Sequence, residues 1–324
     1  MVADRSAVPD ITPLTVRRIR FDWEDDVDPD RWHHTMPEFG AGANAVSLMM
    51  PHAEPFVISA VRRGLAECEN PTPELQSTVD QWAGQEAAHF KQHRAFNRRL
   101  TERSAIARFL DRLGARIFSS LSRRSSAFGL AFAAAFELVA FSAARWAESG
   151  LRRYFGGADE RAATLFLWHL AEEIEHKGIA HDVVHAHPTA LKKMPLAIWV
   201  AFVVLVGYTA LGGILLFVRS AAALNPIRWA RLITWGFSMN FVVMPVLSGA
   251  LLRDFHPDHL VDPPWMAQWL GEYDPESETL PLWTEAGLAQ GGSSTQRELF
   301  LSGLESVDDE GDEIGAEERV ELIP

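Results

Sequence analysis

Apolar positions recur every three to four residues through most of the chain, and alternation with a period of two is nearly absent. Alanine, leucine and arginine dominate the middle, and these residues favour helices. The pattern predicts an all-α protein. Four long segments are predicted helices, at residues 43–67, 73–100, 126–149 and 159–185.

Prolines set two of the predicted helix boundaries. Pro51 and Pro55 interrupt the first segment, so we expect its helix to start, or restart, just before Glu54. Thr72 ahead of Pro73 is a typical N-cap for the second helix. A shorter segment, 105–121, has an arginine every fourth residue beside an apolar stripe, which predicts an amphipathic helix with a basic face.

Two apolar stretches follow the fourth helix. Residues 194–218 carry no charge, and a helix of that length would be about 37 Å long, enough to cross a bilayer. Residues 232–252 are also uncharged but contain Pro245 and several polar residues. We expect an apolar helical hairpin that associates with the membrane on its cytoplasmic side, integrally or peripherally. The alternative is a soluble cytoplasmic protein whose hairpin covers the bundle or forms a homodimer interface.

Composition divides the chain further. The predicted regions are an irregular leader (1–40), a helical bundle (41–190), the apolar hairpin with an extension (191–270) and an acidic, mobile tail (271–324). The net charge of -13 over 324 residues argues against a nucleic-acid partner. A single cysteine, Cys68, excludes an intramolecular disulfide and a cysteine-based metal site.

The most informative motif is a pair of Glu-x-x-His sequences, Glu86 with His89 and Glu173 with His176. Positions i and i+3 lie about 60° apart around a helix, so each pair presents a carboxylate and an imidazole on one face. His169 lies on the same arc as the second pair. Glu172 lies there too, but only Glu173 repeats the spacing of the first pair.

Two lone glutamates complete the predicted site. Glu137 is set in an apolar helix, where an unpaired carboxylate would cost several kcal/mol to bury, so it requires a cation beside it. Glu54 has the same role on the first helix. Four helices that each contribute glutamates, with histidines one turn away, are typical of a two-metal carboxylate site. The predicted ligands are Glu54, Glu86, His89, Glu137, His169, Glu173 and His176.

Carboxylate and imidazole ligands suit two iron ions; manganese also fits, and zinc fits less well. Such a pair of ions can activate dioxygen or bridge a hydroxide for hydrolysis, and the type of ligand does not choose between these reactions. A third alternative is a metal-binding helical protein at the membrane that has no catalytic activity. His93, His181 and His185 are interpreted as polar or supporting residues rather than ligands.

These motifs resemble a bacterial family named predicted metal-dependent hydrolase, a ferritin-like group. The matching segments begin at Gly84, His93, Trp168 and Phe255, and the resemblance covers about residues 16–270. It implies a ferritin-like four-helix bundle, here with the apolar hairpin added at its C-terminal side.

The second motif, read as His169-x-x-x-Glu173-x-x-His176, is similar to that of p-aminobenzoate N-oxygenases. This likeness implies that Glu54, Glu86 and His89 serve one iron, and that Glu137 and the three residues of the motif serve the other. It favours oxidation of a small molecule by O2, with an electron donor that the sequence does not identify. A lipid-like or other apolar substrate would fit the expected membrane association. Hydrolysis by a metal-bridging hydroxide is the alternative.

Overall fold

The computed structural model describes residues 14–23, 28–252 and 254–284. Within these residues the all-α prediction is confirmed, because no strand forms and β-pairing is limited to two isolated bridges. The helices are α1 (Pro37–Ala66), α2 (Pro73–Arg103), α3 (Ala105–Leu121), α4 (Ser126–Glu148), α5 (Leu151–Phe155), α6 (Glu160–His176), α7 (Ile179–Ala186), α8 (Met194–Phe217), α9 (Pro226–Gly249) and α10 (Pro264–Leu270).

Four of these helices enclose the centre of the molecule. Helix α1 packs against α2 and α4, and α6 packs against α4 and α2, so the four close into a bundle. The N-caps agree with the sequence: Thr72 accepts a hydrogen bond from the Leu75 N–H, and Asp159 accepts two at the start of α6. The apolar faces of these helices pack together, and the few polar side chains on the same faces are thereby brought close to one another.

Helix α1 differs from its prediction because it is continuous from residue 37 and does not start near Glu54. Pro51 and Pro55 lie inside it. A proline lacks the N–H that would bond the carbonyl four residues earlier, which for Pro51 is that of Ser47. Asn97 of α2 donates to that carbonyl through Nδ2 at 2.6 Å. A side chain from the neighbouring helix therefore satisfies the group that the proline leaves free.

The fourth predicted helix is divided in two. Helix α6 ends at His176 and α7 begins at Ile179, whereas the sequence predicted one helix to about residue 185. Gly178 lies at the break, and a Cβ placed there would lie 2.7 Å from Oδ1 of Asp258. The close approach of the segment after α9 accounts for both the glycine and the break.

Helices α3, α8 and α9 surround the bundle. Helix α3 has the predicted bounds, and Arg108, Arg112 and Arg116 are exposed on it. Helix α9 begins at Pro226, earlier than the charge-free stretch suggested, because the side chain of Asn225 caps it. Both α8 and α9 pack against α1 and α4.

The ends of the bundle reach beyond the predicted boundaries. Part of the leader lies along α2, where Leu14 N–H donates to Gln81 and Gln92 donates to the carbonyl of Ile19. Residues 271–284, which the sequence assigned to the acidic tail, include Trp283, which is buried and whose N–H donates to Thr164. The rest of the predicted acidic tail lies outside the described residues.

Candidate metal centre

The seven predicted ligands meet at the centre of the bundle. Glu54 comes from α1, the first Glu-x-x-His pair from α2, Glu137 from α4, and His169 with the second pair from α6. Their side chains form overlapping groups of three or four potential ligands in which the ligand atoms lie within 4.8 Å of one another. Apart from His169, which is 7% exposed, all seven are completely buried.

One group surrounds His176. Its Nδ1 atom lies 2.8 Å from Glu86 Oε1, 3.3 Å from Glu173 Oε2 and 3.7 Å from Glu137 Oε2. No hydrogen bond joins Nδ1 to any of these oxygens. Four ligand atoms that converge without bonding one another are arranged as the ligands of a single cation would be.

A second group consists of Glu54, Glu86 and His89, the set that the likeness to N-oxygenases assigned to one iron. Glu86 belongs to both groups, so its carboxylate would be available to an ion held by either one. His169 lies beside this second group, with Nε2 3.7 Å from Glu54 Oε1 and 2.7 Å from Glu173 Oε1. The likeness had instead placed His169 with Glu137.

Most of the oxygens in the cluster lack a hydrogen-bond partner. Both oxygens of Glu54, Glu86 and Glu137 are buried without one, as is Oε2 of Glu173. Buried polar groups are nearly always satisfied, and an unpaired buried carboxylate is strongly unfavourable. Four ionised carboxylates carry a charge of -4, which two divalent cations would neutralise. The cluster therefore fits a pair of divalent metal ions.

His89 is held in the tautomer that a metal requires. Its Nε2 lies 2.8 Å from Glu172 Oε2, while Arg17 bonds the other oxygen of Glu172 at 3.0 Å. Because the carboxylate accepts, Nε2 carries the proton and Nδ1 presents a lone pair to the cluster. That Nδ1 is buried and has no hydrogen-bond partner. A carboxylate behind a histidine is a common way to orient a metal ligand.

Gln85 fixes the tautomer of His176, as Glu172 fixes that of His89. The side-chain Nε2 of Gln85 donates to the carbonyl of Thr15 and to Glu175, which leaves its Oε1 as an acceptor. That oxygen lies 2.9 Å from His176 Nε2, so the imidazole proton is on Nε2. The lone pair of His176 Nδ1 consequently faces the three carboxylates.

The tautomer of His169 follows from a longer chain of hydrogen bonds. Asn97 donates to the carbonyl of Ser47, so its Oδ1 must accept from the Ser47 hydroxyl at 2.7 Å. Ser47 Oγ then accepts from His93 Nδ1, and His93 Nε2 accepts from His169 Nδ1 at 2.7 Å. The lone pair of His169 Nε2 is left facing Glu173. Two acceptors 2.7 Å apart require a cation or a proton between them.

The electrostatics of the cluster point the same way. Burial and the carboxylates of Glu86, Glu173 and Glu137 raise the pKa of Glu54 well above its ordinary value. Burial lowers the pKa of His176, but Glu173 and Glu86 outweigh it and hold that pKa well above its ordinary value. In both cases the site favours a bound positive charge, which a proton or a metal ion can supply.

The sequence did not identify every residue at the centre. His93, which was interpreted as a supporting residue, belongs to a group with Glu54 and His169 whose potential ligand atoms converge. Glu172 and Glu175 hold Arg17, which comes from the leader that was predicted to be irregular. No local pattern marks that contact, because it joins residues 155 positions apart.

The histidines further along the chain form a separate cluster. His256 Nε2 bonds Asp182 at 2.9 Å, and its ring packs edge-on against that of His181. His185 lies on the other side of His181. In the part of the chain that the structure describes, these residues do not form a group of three converging ligand atoms.

A cavity of about 190 Å³ leads away from the centre. His93, His169 and Glu173 line its inner end, and α1, α4 and α6 supply apolar walls that include Met49 and Phe136. Its outer part lies between α8 and α9. The metal centre is therefore connected to the apolar hairpin by a largely apolar space.

The helical fold and the buried ligand cluster together place the protein in a class, that of helical bundles whose buried carboxylates and histidines can hold metal ions. The chain belongs to the family described as "Predicted metal-dependent hydrolase", whose model matches residues 15–260. This confirms the family resemblance found in the sequence. No curated protein and no solved structure matches the chain.

Proposed function

We propose that the protein is a di-iron carboxylate enzyme that uses dioxygen to oxidise an apolar substrate. The observation that carries this proposal is the connection between the ligand cluster and the apolar cavity. Of the polar residues that line this cavity, His93, His169 and Glu173 are part of the cluster, while Thr209 and Asn240 come from α8 and α9. A substrate there would have apolar atoms next to the metal site, and oxidation of such atoms is chemistry that requires a metal and dioxygen.

Seven residues would hold the metals, with Glu86 positioned between the two groups. When bound, two iron ions supply the electrons with which dioxygen is activated, and an external electron donor restores them. The chain itself fixes the imidazoles through Glu172, Gln85 and His93, and burial of the ligands limits the access of water. Fixed ligands lower the cost of reorganisation during the reaction.

Hydrolysis by a metal-bridging hydroxide is the second candidate, and the description of the family favours it. Hydrolysis requires that the polar group of an ester, amide or phosphate reach the metals and that its leaving group be protonated. The shape and apolar lining of the cavity favour oxidation instead.

Membrane association is part of the proposal. Three helices in the described residues are long and apolar enough to cross a membrane, namely α4, α8 with the turn before it, and α9. The apolar window of α4 is 83% buried by the protein, against 33% for α8 and 22% for α9. The bundle therefore covers α4, whereas the outward faces of α8 and α9 require another apolar environment. The cytoplasmic side remains our proposal for its location.

Reconstitution with different metals tests the proposed reaction. The purified protein, loaded anaerobically with Fe²⁺, should consume dioxygen when air is admitted and should change its optical spectrum. The zinc-loaded protein should do neither. His176→Ala should take up less iron and lose the reaction. Turnover of an ester by the zinc-loaded protein, with no dioxygen consumed by the iron form, would establish the hydrolase instead.

A further inference from the structure

The cavity opens to the outside between α8 and α9. Among its lining residues are Ala210 of α8, which is exposed, and Gly236 of α9, which is half-buried. A Cβ atom built on Gly236 would meet nothing within 4 Å. The cavity is thus not closed off by side chains at this position, and its mouth lies on the face of the hairpin.

The packing of the hairpin explains the opening. Helices α8 and α9 each pack on α1 and α4 rather than mainly on each other. Small residues at positions 210 and 236 do not fill the space that remains between them. Two helices that rest on the bundle separately can also move apart without breaking an interface of their own.

The surface around the mouth is strongly apolar. On the two helices, large apolar side chains are exposed at ten positions: Leu196, Trp199, Val203, Leu211, Ile214, Ile227, Ile233, Phe237, Phe241 and Met244. Each helix has 24 residues, or about 36 Å, which matches the apolar thickness of a bilayer. Lys192 and Lys193 precede α8 and are exposed, so cations lie at that end, where anionic headgroups would be. At the start of α9, Arg228 and Arg231 instead face the carboxylate of Glu38.

We propose that the substrate is a membrane lipid whose acyl chain enters the cavity sideways, from the bilayer, between α8 and α9. This inference rests on the proposed function for what happens at the metals, but the binding step does not. The cavity, at about 190 Å³, is smaller than the roughly 300–1,000 Å³ of pockets that enclose a whole drug-sized ligand. The cavity therefore accepts the end of a chain while the headgroup remains at the membrane surface.

Lateral entry fixes the order in which the acyl chain would pass the residues that line the cavity. Its terminal carbons would pass Gly236 and Ala210, then Met49 and Phe136, and would stop next to His169. Transfer from the bilayer core to an apolar cavity exposes no polar group, so desolvation is not a barrier to entry. The reacting carbon is consequently near the methyl end of the chain.

Photocrosslinking tests this directly. The full-length, metal-loaded protein is reconstituted in vesicles of phosphatidylethanolamine and phosphatidylglycerol that contain a fatty acid with a diazirine at its terminal carbon. After irradiation we expect labelled peptides from the cavity wall, at Met49, Met50 or Phe136. Labelling confined to exposed positions such as Phe237 and Phe241, or the absence of any labelled peptide, would overturn the proposal.

Two glycines offer a matched pair of variants. Gly236→Leu should fill the mouth and reduce cavity labelling about tenfold, because its side chain would occupy the open space through which the chain enters. Gly207→Leu places the same side chain on α8 at a site that also has nothing within 4 Å but does not line the cavity. The cavity wall of the Gly207→Leu variant should be labelled to the same extent as that of the unmodified protein. Ala210→Phe, from the other side of the mouth, should repeat the effect of Gly236→Leu.

The experiment separates this inference from the proposed reaction, because labelling requires no turnover. Cavity labelling in a protein that consumes no dioxygen would support lateral entry and contradict the oxidase. Dioxygen consumption without cavity labelling would support the oxidase and overturn lateral entry. Equal labelling of the cavity in Gly236→Leu and Gly207→Leu would also overturn the proposed position of the mouth.

Discussion

Glu172 Oε2 accepts a hydrogen bond from His89 Nε2 at 2.8 Å, and both side chains are completely buried. The bond turns the lone pair of His89 Nδ1 toward Glu54 and Glu86. Arg17 holds the other oxygen of Glu172. Glu172, which the spacing argument rejected as a metal ligand, therefore orients the predicted ligand His89.

Glu172→Gln is expected to weaken metal binding without emptying the site. The amide can still accept from His89, but it lacks the charge that makes the imidazole a stronger donor to the metal. Loss of such a partner typically reduces metal affinity about 10–100-fold. Competition with a chelator measures the change. Glu160→Gln, an exposed position in the first turn of the same helix, is the control and should bind metal normally.

Ser47→Ala is expected to disturb His169 through two intervening hydrogen bonds. Without the hydroxyl, His93 Nδ1 loses its acceptor, and the tautomer of His169 is no longer fixed. We expect a changed ligand-field spectrum in the cobalt-loaded protein and metal affinity reduced about tenfold. Ser142→Ala provides the comparison, since that buried serine donates only within its own helix, to Leu138. An unchanged spectrum in Ser47→Ala would contradict the proposed chain of bonds.

Glu137→Leu should make the metal-free protein more stable. Neither oxygen of Glu137 has a hydrogen-bond partner, so an apolar side chain there removes a desolvation cost; for buried ion pairs the same kind of replacement is often stabilising by about 1–4 kcal/mol. The variant should also lose the metal-induced rise in melting temperature that the unmodified protein shows. Glu148→Leu on the same helix should instead destabilise, because Glu148 accepts bonds from the N–H groups of Trp265 and Met266. Calorimetry with and without metal separates the two variants.

Metal affinity should rise with pH between about 6 and 8. Burial raises the pKa of Glu172 to about 7 despite Arg17, and burial with the neighbouring carboxylates raises that of Glu54. Glu54 must lose its proton to bind a metal, and Glu172 must be ionised to accept from His89 Nε2, so both protons are released when the metal binds. The stability of the metal-free fold should depend on pH in the opposite direction. A carboxyl group whose pKa is raised in the folded protein contributes stability at low pH, and this contribution is lost as the pH rises above 4.5 toward the folded pKa. Titrations in buffers of different ionisation enthalpy count the released protons, and zero release would contradict this account.

Phe241→Asp should prevent vesicle binding. The ring is 78% exposed on α9, and an aspartate at the centre of a membrane helix costs about 2.5–3.5 kcal/mol. Flotation with anionic vesicles measures the bound fraction. Leu282→Asp, at an exposed position away from the hairpin, should float as before. If both variants float equally while the unmodified protein is a dimer in solution, the faces of α8 and α9 form a homodimer interface instead.

Local spacing was sufficient to predict which side chains meet at the centre. The i, i+3 and i, i+7 relations are properties of a single helix, and the apolar surroundings of Glu137 marked it as buried. The continuity of α1 could not be predicted, because Asn97, which satisfies the carbonyl that Pro51 leaves free, lies on another helix. The same limit applies to Arg17, to His93 and to Trp283, whose positions depend on contacts between distant parts of the chain.

Metal analysis combined with exposure to dioxygen tests the central claim most directly. The protein is loaded anaerobically with Fe²⁺, freed of unbound metal, analysed for iron, and then mixed with dissolved O2 while its absorption and the O2 concentration are followed. Our account predicts two iron ions per chain, consumption of O2 and a new absorption band. Binding of less than one iron, or two irons that leave the O2 concentration unchanged, would contradict it.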